Sequence, residues 1–209
     1  MNVVCFERRR KGIKLNWGER LAVHNPVRVW QQRLEIKWFR KAGRLEAGKR
    51  VLEIGCGRGA AAALIGGAFQ PMVLHASDYD PAMMRMARRY LAGARGKPIR
   101  LLVADAASLP YGPRAFDAVF GFGVLHHVPD WQGALQEIAR VLKAGSPFFI
   151  EELYPTLYQN VVTSRILEHP EENRFQSGEL EAGLAAANFL IDRRLEHPKL
   201  GILAVAIKQ

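Results

Sequence analysis

The sequence predicts an α/β protein built on a doubly wound sheet of seven strands, mostly parallel, with an antiparallel C-terminal strand and an N-terminal helical cap. From Arg50 onward, short β-branched or aromatic runs alternate with helical patterns, the order that places helices on both faces of a parallel sheet. The last two runs are separated only by His197 to Leu200, which permits a hairpin but not a right-handed parallel crossover. At 209 residues, 49% hydrophobic and 24% charged, the chain matches one ordinary globular domain.

The first helix is placed from Pro26, behind Asn25 as its cap, to a stop at Gly43. Within it Val27, Trp30, Leu34 and Trp38 recur at spacings of three and four and share one stripe, with Arg33, Lys37 and Arg40 to one side. Such a stripe either packs on the core or closes over a ligand. Strands are expected at Arg50 to Gly55, Met72 to Ser77, Ile99 to Ala104, Phe116 to Phe122, Ser146 to Glu152, Leu190 to Glu196 and Gly201 to Ala206. Helices are expected at Ala60 to Phe69, Pro81 to Ala92 and Trp131 to Leu142, while Ser108 to Arg114, rich in Pro and Gly, reads as loop.

The formal charge of +10 is not spread evenly. Residues 1 to 50 hold 14 Lys and Arg against 4 acids, leaving 16 of each in 51 to 209. A neutral core behind a basic segment suggests an anionic contact, such as a lipid surface, a nucleic acid or an acidic substrate; a solvated tail is the other reading. No apolar run approaches the roughly 18 to 20 residues needed to cross a bilayer. The opening, apolar before basic, reverses the order of a secretory signal. Cys5 and Cys56 form neither a disulfide framework nor a zinc-ligand pair, so a reducing cytoplasm is expected and no metal site.

The strongest local signal is Val51-Leu52-Glu53-Ile54-Gly55-Cys56-Gly57-Arg58-Gly59, an apolar strand running into a glycine-rich turn and an alanine-rich helix. Gly55-x-Gly57-x-x-Ala60 also satisfies the relaxed dinucleotide fingerprint, which keeps an NAD-dependent or flavin oxidoreductase in play. Three acids weigh against it together. Glu53 sits in the turn, where a carboxylate repels a pyrophosphate and suits a cation. Asp78 follows the second strand, where it can accept both ribose hydroxyls. Asp105 follows the third, where it can accept an adenine amino hydrogen. Each alone could be a helix cap.

The stretches VLEIGCGRG (51–59), SDYDPAMM (77–84), ADAASLPYGPRAFDAVF (104–120), LHHVPD (125–130) and EIARVLKAGSPFFIEE (137–152) resemble the class I S-adenosylmethionine-dependent methyltransferases, in particular the small-molecule branch that includes quinone-biosynthesis enzymes. The resemblance spans about 45–209 and implies a Rossmann-like core with S-adenosylmethionine as cofactor. It further implies that Glu53, Gly55 and Gly57 surround the methionine moiety, with Cys56 and Gly59 of the same loop also cofactor-binding, that Asp78 binds the ribose, and that Tyr79 and Met83 flank the adenine. Asp105 and Ala106 would hold the adenine edge and Phe122 the sulfonium side. Lys143-Ala144-Gly145-Ser146 departs from the family's Lys-Pro-Gly-Gly at a turn remote from chemistry.

Methyl transfer requires no nucleophilic side chain, so Cys56 reads as a small filler. A hydroxyl or acidic-carbon acceptor would use a base, and His126 and His127, just beyond the fourth strand, are the catalytic candidates, one of them being expected to pack within the turn. Glu151, Glu152 and Tyr154 end the fifth strand at the same edge and either meet substrate or stand in solvent. Residues 1–45 are read as a basic helical cap on a 46–209 core, with 12–45 a mobile lid over a small, hydrophobic or anionic acceptor. A nucleic-acid-directed enzyme, or a catalytically silent cofactor-binding module with a basic arm, remains as the alternative, lowered by GFGVLHHVPD standing where an amino-directed enzyme carries NPPY. The sequence does not set the oligomeric state.

Overall fold

The computed structural model describes residues 25–93, 99–155 and 175–209. Helix α1 spans Pro26–Ala42, with Asn25 accepting from the Val27 amide at 2.9 Å and Gly43 closing its end. There follow β1 (Arg50–Ile54), α2 (Ala60–Phe69), β2 (Val73–Asp78), α3 (Pro81–Leu91), β3 (Ile99–Val103), β4 (Ala118–Phe122), a short 3-10 turn at Leu125–His127, α4 (Trp131–Val141), β5 (Pro147–Leu153), α5 (Ser177–Ala186), β6 (Phe189–His197) and β7 (Gly201–Lys208). Asp80 caps α3 ahead of Pro81, and Asp130 caps α4.

Among the described residues the seven strands form one sheet in the order β3-β2-β1-β4-β5-β7-β6. Strands β1 to β5 pair in parallel, and β7 runs antiparallel to both β5 and β6. The reversed strand therefore lies inside the sheet. Strand order changes direction between β1 and β4, and in an open α/β sheet the crevice at such a point, beyond the carboxyl ends of the strands, receives the ligand.

Helices α1, α2 and α3 pack on one face and α4 and α5 on the other. Alternation along the strands assigns their side chains: Phe120 and Phe149 point to the α1 face, Val119, Phe148 and Ile150 to the α4 face. Fully buried Phe39 of α1 meets Phe120, Phe122 and Phe149 edge-on at ring-centroid separations of 6.3, 5.8 and 5.3 Å.

Two expectations are corrected. The face that α1 turns inward is Glu35, Ile36 and Phe39, with Arg28 and Gln32 beside them, and not the Val27/Trp30/Leu34/Trp38 stripe. Val27, Trp30 and Leu34 are 64, 60 and 43% exposed, and Trp38 is only half-buried. Three phenylalanines on the sheet outcompete the tryptophan stripe because they offer Phe39 a closed aromatic socket. Helix α5 was not expected: its two glycines mask the helical pattern. Gly183 is required there because a Cβ would collide with the Trp131 ring of α4, so the residue that weakens the sequence signal is the one that lets the two helices touch. The readings on 1–24, including Cys5 and the first part of the basic cap, fall outside the described residues.

Removing the Phe39 ring leaves a cavity beneath α1. Phe39→Ala should lower unfolding free energy by about 3 to 5 kcal/mol, whereas Trp30→Ala should change it by no more than about 0.5 kcal/mol. Urea melts of the two variants check this, and a Trp30 loss as large as that of Phe39 would refute the packing assignment.

Candidate active site

The carboxyl ends of β1, β2 and β4 open onto a cleft of about 220 Å³. Its floor is the turn after β1. Gly55 has φ +63, and a Cβ there would drive into the Val124 side chain, so only glycine lets the β1 and β4 loops approach. Gly55, Cys56 and Gly57 line the cleft, as do Glu53, Asp78, Tyr79, Asp105, Ala106 and Phe122. Gly59 does not; it caps α2 and donates its amide to the Cys56 carbonyl. Met83 lies fully buried and is not among the residues that line the cleft.

Glu53 is 1% exposed, and among the described residues its Oε2 has no hydrogen-bond partner. Burial, with the Asp78 charge adding to it, pushes its carboxyl far above the usual range. Such a group favours an incoming cation, whose charge would restore the ionised form. Asp78 is held from both sides: Oδ2 accepts from the Gly57 amide at 2.8 Å and Oδ1 from the Asp80 amide at 2.9 Å. Each oxygen keeps a further lone pair for a ligand hydroxyl. Asp105 uses Oδ1 to accept from Ala107 at 2.9 Å. Burial raises the Cys56 thiol, which stays protonated and fills space beside Gly57.

The two histidines separate. His127 lines the cleft; His126 does not, and its Nδ1 lies 2.7 Å from Glu152 Oε2 with its side chain 7% exposed. Burial and the nearby Arg28 charge push His126 down to about 4, so it is neutral. Glu152, fully buried, also accepts from the Val124 and Leu125 amides at 3.0 and 2.7 Å, and burial raises it to about 7. Neither Glu151 nor Glu152 stands in solvent, and Tyr154 turns away from the cleft, its hydroxyl donating to Glu196 at 2.6 Å.

Sequence reasoning missed the part that α1 contributes. Arg28 and Gln32 line the cleft, and Arg28 spans two carboxylates, Glu35 at 2.8 Å and Glu151 at 2.7 Å. The polar residues 28, 32 and 35 recur at helical spacing, which was the available signal, but the apolar stripe on the opposite side overshadowed it. Glu35 is pushed up to about 7 by burial, the Glu151 charge adding to this and Arg28 opposing it.

A family model described as a methyltransferase domain matches residues 52–150. The aklanonic acid methyltransferase of Streptomyces sp. strain C5 is 33% identical over 163 residues, covering 68% of this chain and 73% of that protein. The chain belongs to the class I S-adenosylmethionine-dependent methyltransferases. The demethylmenaquinone methyltransferase of Thermus thermophilus is 36% identical over 127 residues, or 58% of this chain and 56% of that enzyme. Across eight such relatives the match spans 37 to 73% of their length, about half or less for most. An Aquifex aeolicus S-adenosylmethionine-dependent methyltransferase superposes with a TM-score of 0.71 at 18% identity, covering 94% of this chain and all of that one, which shows the shared fold. Membership in this methyltransferase family removes the nicotinamide and flavin readings, which rested on the glycine spacing alone.

The raised Glu35 carboxyl gives a pH signature. Its folded value lies above its unfolded one, so its contribution to stability is fully present below about 4.5 and is lost as pH rises through about 7. Glu35→Gln should therefore flatten the fall in melting temperature between pH 5 and 7.5. An unchanged slope in that interval would show that Glu35 does not titrate there.

Proposed function

We propose that this protein transfers the methyl group of S-adenosylmethionine to a small, largely apolar acceptor, with α1 as part of the acceptor wall. The observation that carries the reading is Glu53, a buried carboxyl that lines a glycine-turn cleft at the sheet's switch point beside Asp78 and whose Oε2 has no hydrogen-bond partner among the described residues. That donor-poor carboxylate and the close-approach turn fit a ligand with an ammonium group, a ribose and a purine. S-adenosylmethionine, when bound, supplies a methyl group already activated by positive sulfur.

Glu53 would hold the ammonium group, Asp78 the ribose hydroxyls, and Asp105 with the Ala106 backbone the adenine edge, against the half-exposed Tyr79 ring. Phe122 would exclude water on the reacting side, where placement and dehydration supply most of the acceleration. For a hydroxyl or carbon acceptor, His127 would take up on a ring nitrogen the proton that the acceptor atom loses. His126, tied to Glu152, positions the turn that presents His127. Arg28 is already engaged with two carboxylates, which favours an uncharged acceptor over an anionic one. The acceptors named for relatives, demethylmenaquinone, aklanonic acid and fatty acids, are likewise small molecules.

Removing the Asp78 carboxylate should weaken S-adenosylmethionine binding by about 10- to 150-fold, measured by calorimetry on Asp78→Ala; unchanged affinity in the folded variant defeats the cofactor assignment. His127→Ala should lose about 100- to 10,000-fold in turnover with cofactor affinity kept, and the loss should shrink for acceptors already deprotonated. His126→Ala should instead lower the melting temperature. A screen of grouped acceptors with product mass measured identifies the substrate, and comparable turnover by the His127 variant would exclude its role as base.

A further inference from the structure

The outward face of α1 is left unused by the core and the cleft. Its charged residues divide cleanly. Arg28 and Glu35 turn inward and pair, while Arg33, Lys37, Arg40 and Lys41 all stand exposed with no acid among them. Val27, Trp30 and Leu34 form an exposed apolar stripe, with Lys37, Arg33 and Arg40 along one edge of it at helical spacing. An apolar stripe containing Trp, flanked by cations and free of anions, is what a helix lying in a membrane interface presents: the stripe enters the acyl boundary and the cations meet the headgroups.

We infer that α1 docks the protein onto an anionic phospholipid surface, with Val27, Trp30 and Leu34 inserted and Arg33, Lys37, Arg40 and Lys41 on the headgroups. Two other occupants fit less well. A second copy of this chain, meeting through a two-fold axis, would set these four cations against their own copies, a like-charge arrangement. A nucleic acid would satisfy the cations but leave the apolar stripe against phosphates. The cleft lies across the same helix, where Arg28 and Gln32 line it, so docking would hold the cleft about 10 to 12 Å from the lipid surface, one helix diameter away. The docking claim does not depend on the acceptor, and its readout is binding alone.

The full-length protein is sedimented with vesicles of phosphatidylcholine alone and of phosphatidylcholine mixed with phosphatidylglycerol. Binding is expected to the anionic vesicles, to fall steeply with salt, and to be far weaker to neutral ones. The V27S/W30S/L34S variant should bind about 100-fold less tightly while melting as the parent does. R33Q and K37Q should each cost about fivefold. If the triple variant does not fold, W30S alone carries the test with a loss of about tenfold. Parental binding by these variants would overturn the assignment and place any lipid contact on other residues. Equal binding to neutral vesicles would overturn it as well. So would a dimer in sedimentation velocity that the triple variant dissociates, or duplex DNA binding that the triple variant leaves intact while vesicle binding is absent.

Discussion

A carboxylate carried into a protein interior must be met by donors or by a cation, and the end of β5 imposes that demand twice in succession. Glu151 and Glu152 are neighbours on a strand, so they point to opposite faces of the sheet and cannot share a partner. Glu151 is met by Arg28, which ties α1 to the sheet. Glu152 is met by the Val124 and Leu125 amides and by His126, which fixes the turn after β4. Two walls of the cleft thus hang from one dipeptide. Among the described residues one oxygen each of Glu35, Glu53 and Glu151 is left without a donor, and of these three residues Glu53, near the end of β1 on the same face as Glu151, is the one that lines the cleft, where it can meet a cationic ligand.

This arrangement links the site to stability by a definite route. Removing one member of a buried ionic set leaves the others uncompensated, which costs more than the net worth of the pair. Arg28 serves Glu35 and Glu151 together, so the set carries one more carboxylate than it has arginine, and burial holds Glu35 partly protonated near neutrality. The aromatic contacts of Phe39 act in the same place, fastening α1 through dispersion where Arg28 fastens it through charge.

Local patterns made much of this legible. The glycine turn, the Asn25 cap with Pro26 behind it, and the strand runs all depend on residues near in sequence, where spacing reports geometry directly. The reversed last strand followed from the short connection between β6 and β7 and from the handedness rule. What escaped depended on long-range competition. The α1 stripe promised burial, yet the phenylalanines of β4 and β5 selected the opposite side of the helix, and nothing within residues 26–42 announces partners some 80 to 120 positions away. Glu151 and Glu152 read either as substrate contacts or as solvent residues because a sequence shows a charge but not the donors folded around it. The separation of His126 from His127 has the same origin, since only the Glu152 contact distinguishes two adjacent identical side chains.

The placement of β7 bears on how the chain acquires its shape. Strand β6 is made before β7, yet its hydrogen-bonded neighbour in the sheet is β7 alone, and β5 likewise awaits β7 on one side. A polypeptide emerging from a ribosome can therefore assemble β1 to β5 while β6 has no seat. During that interval the β5 edge, rich in Phe148, Phe149 and Ile150, is an open template for another chain. Arrival of Gly201–Lys208 closes the edge and seats β6 in one step. Assembly of the sheet is thus gated by a late hairpin, a non-local closure that slows folding and makes nascent-chain aggregation the characteristic hazard of this topology.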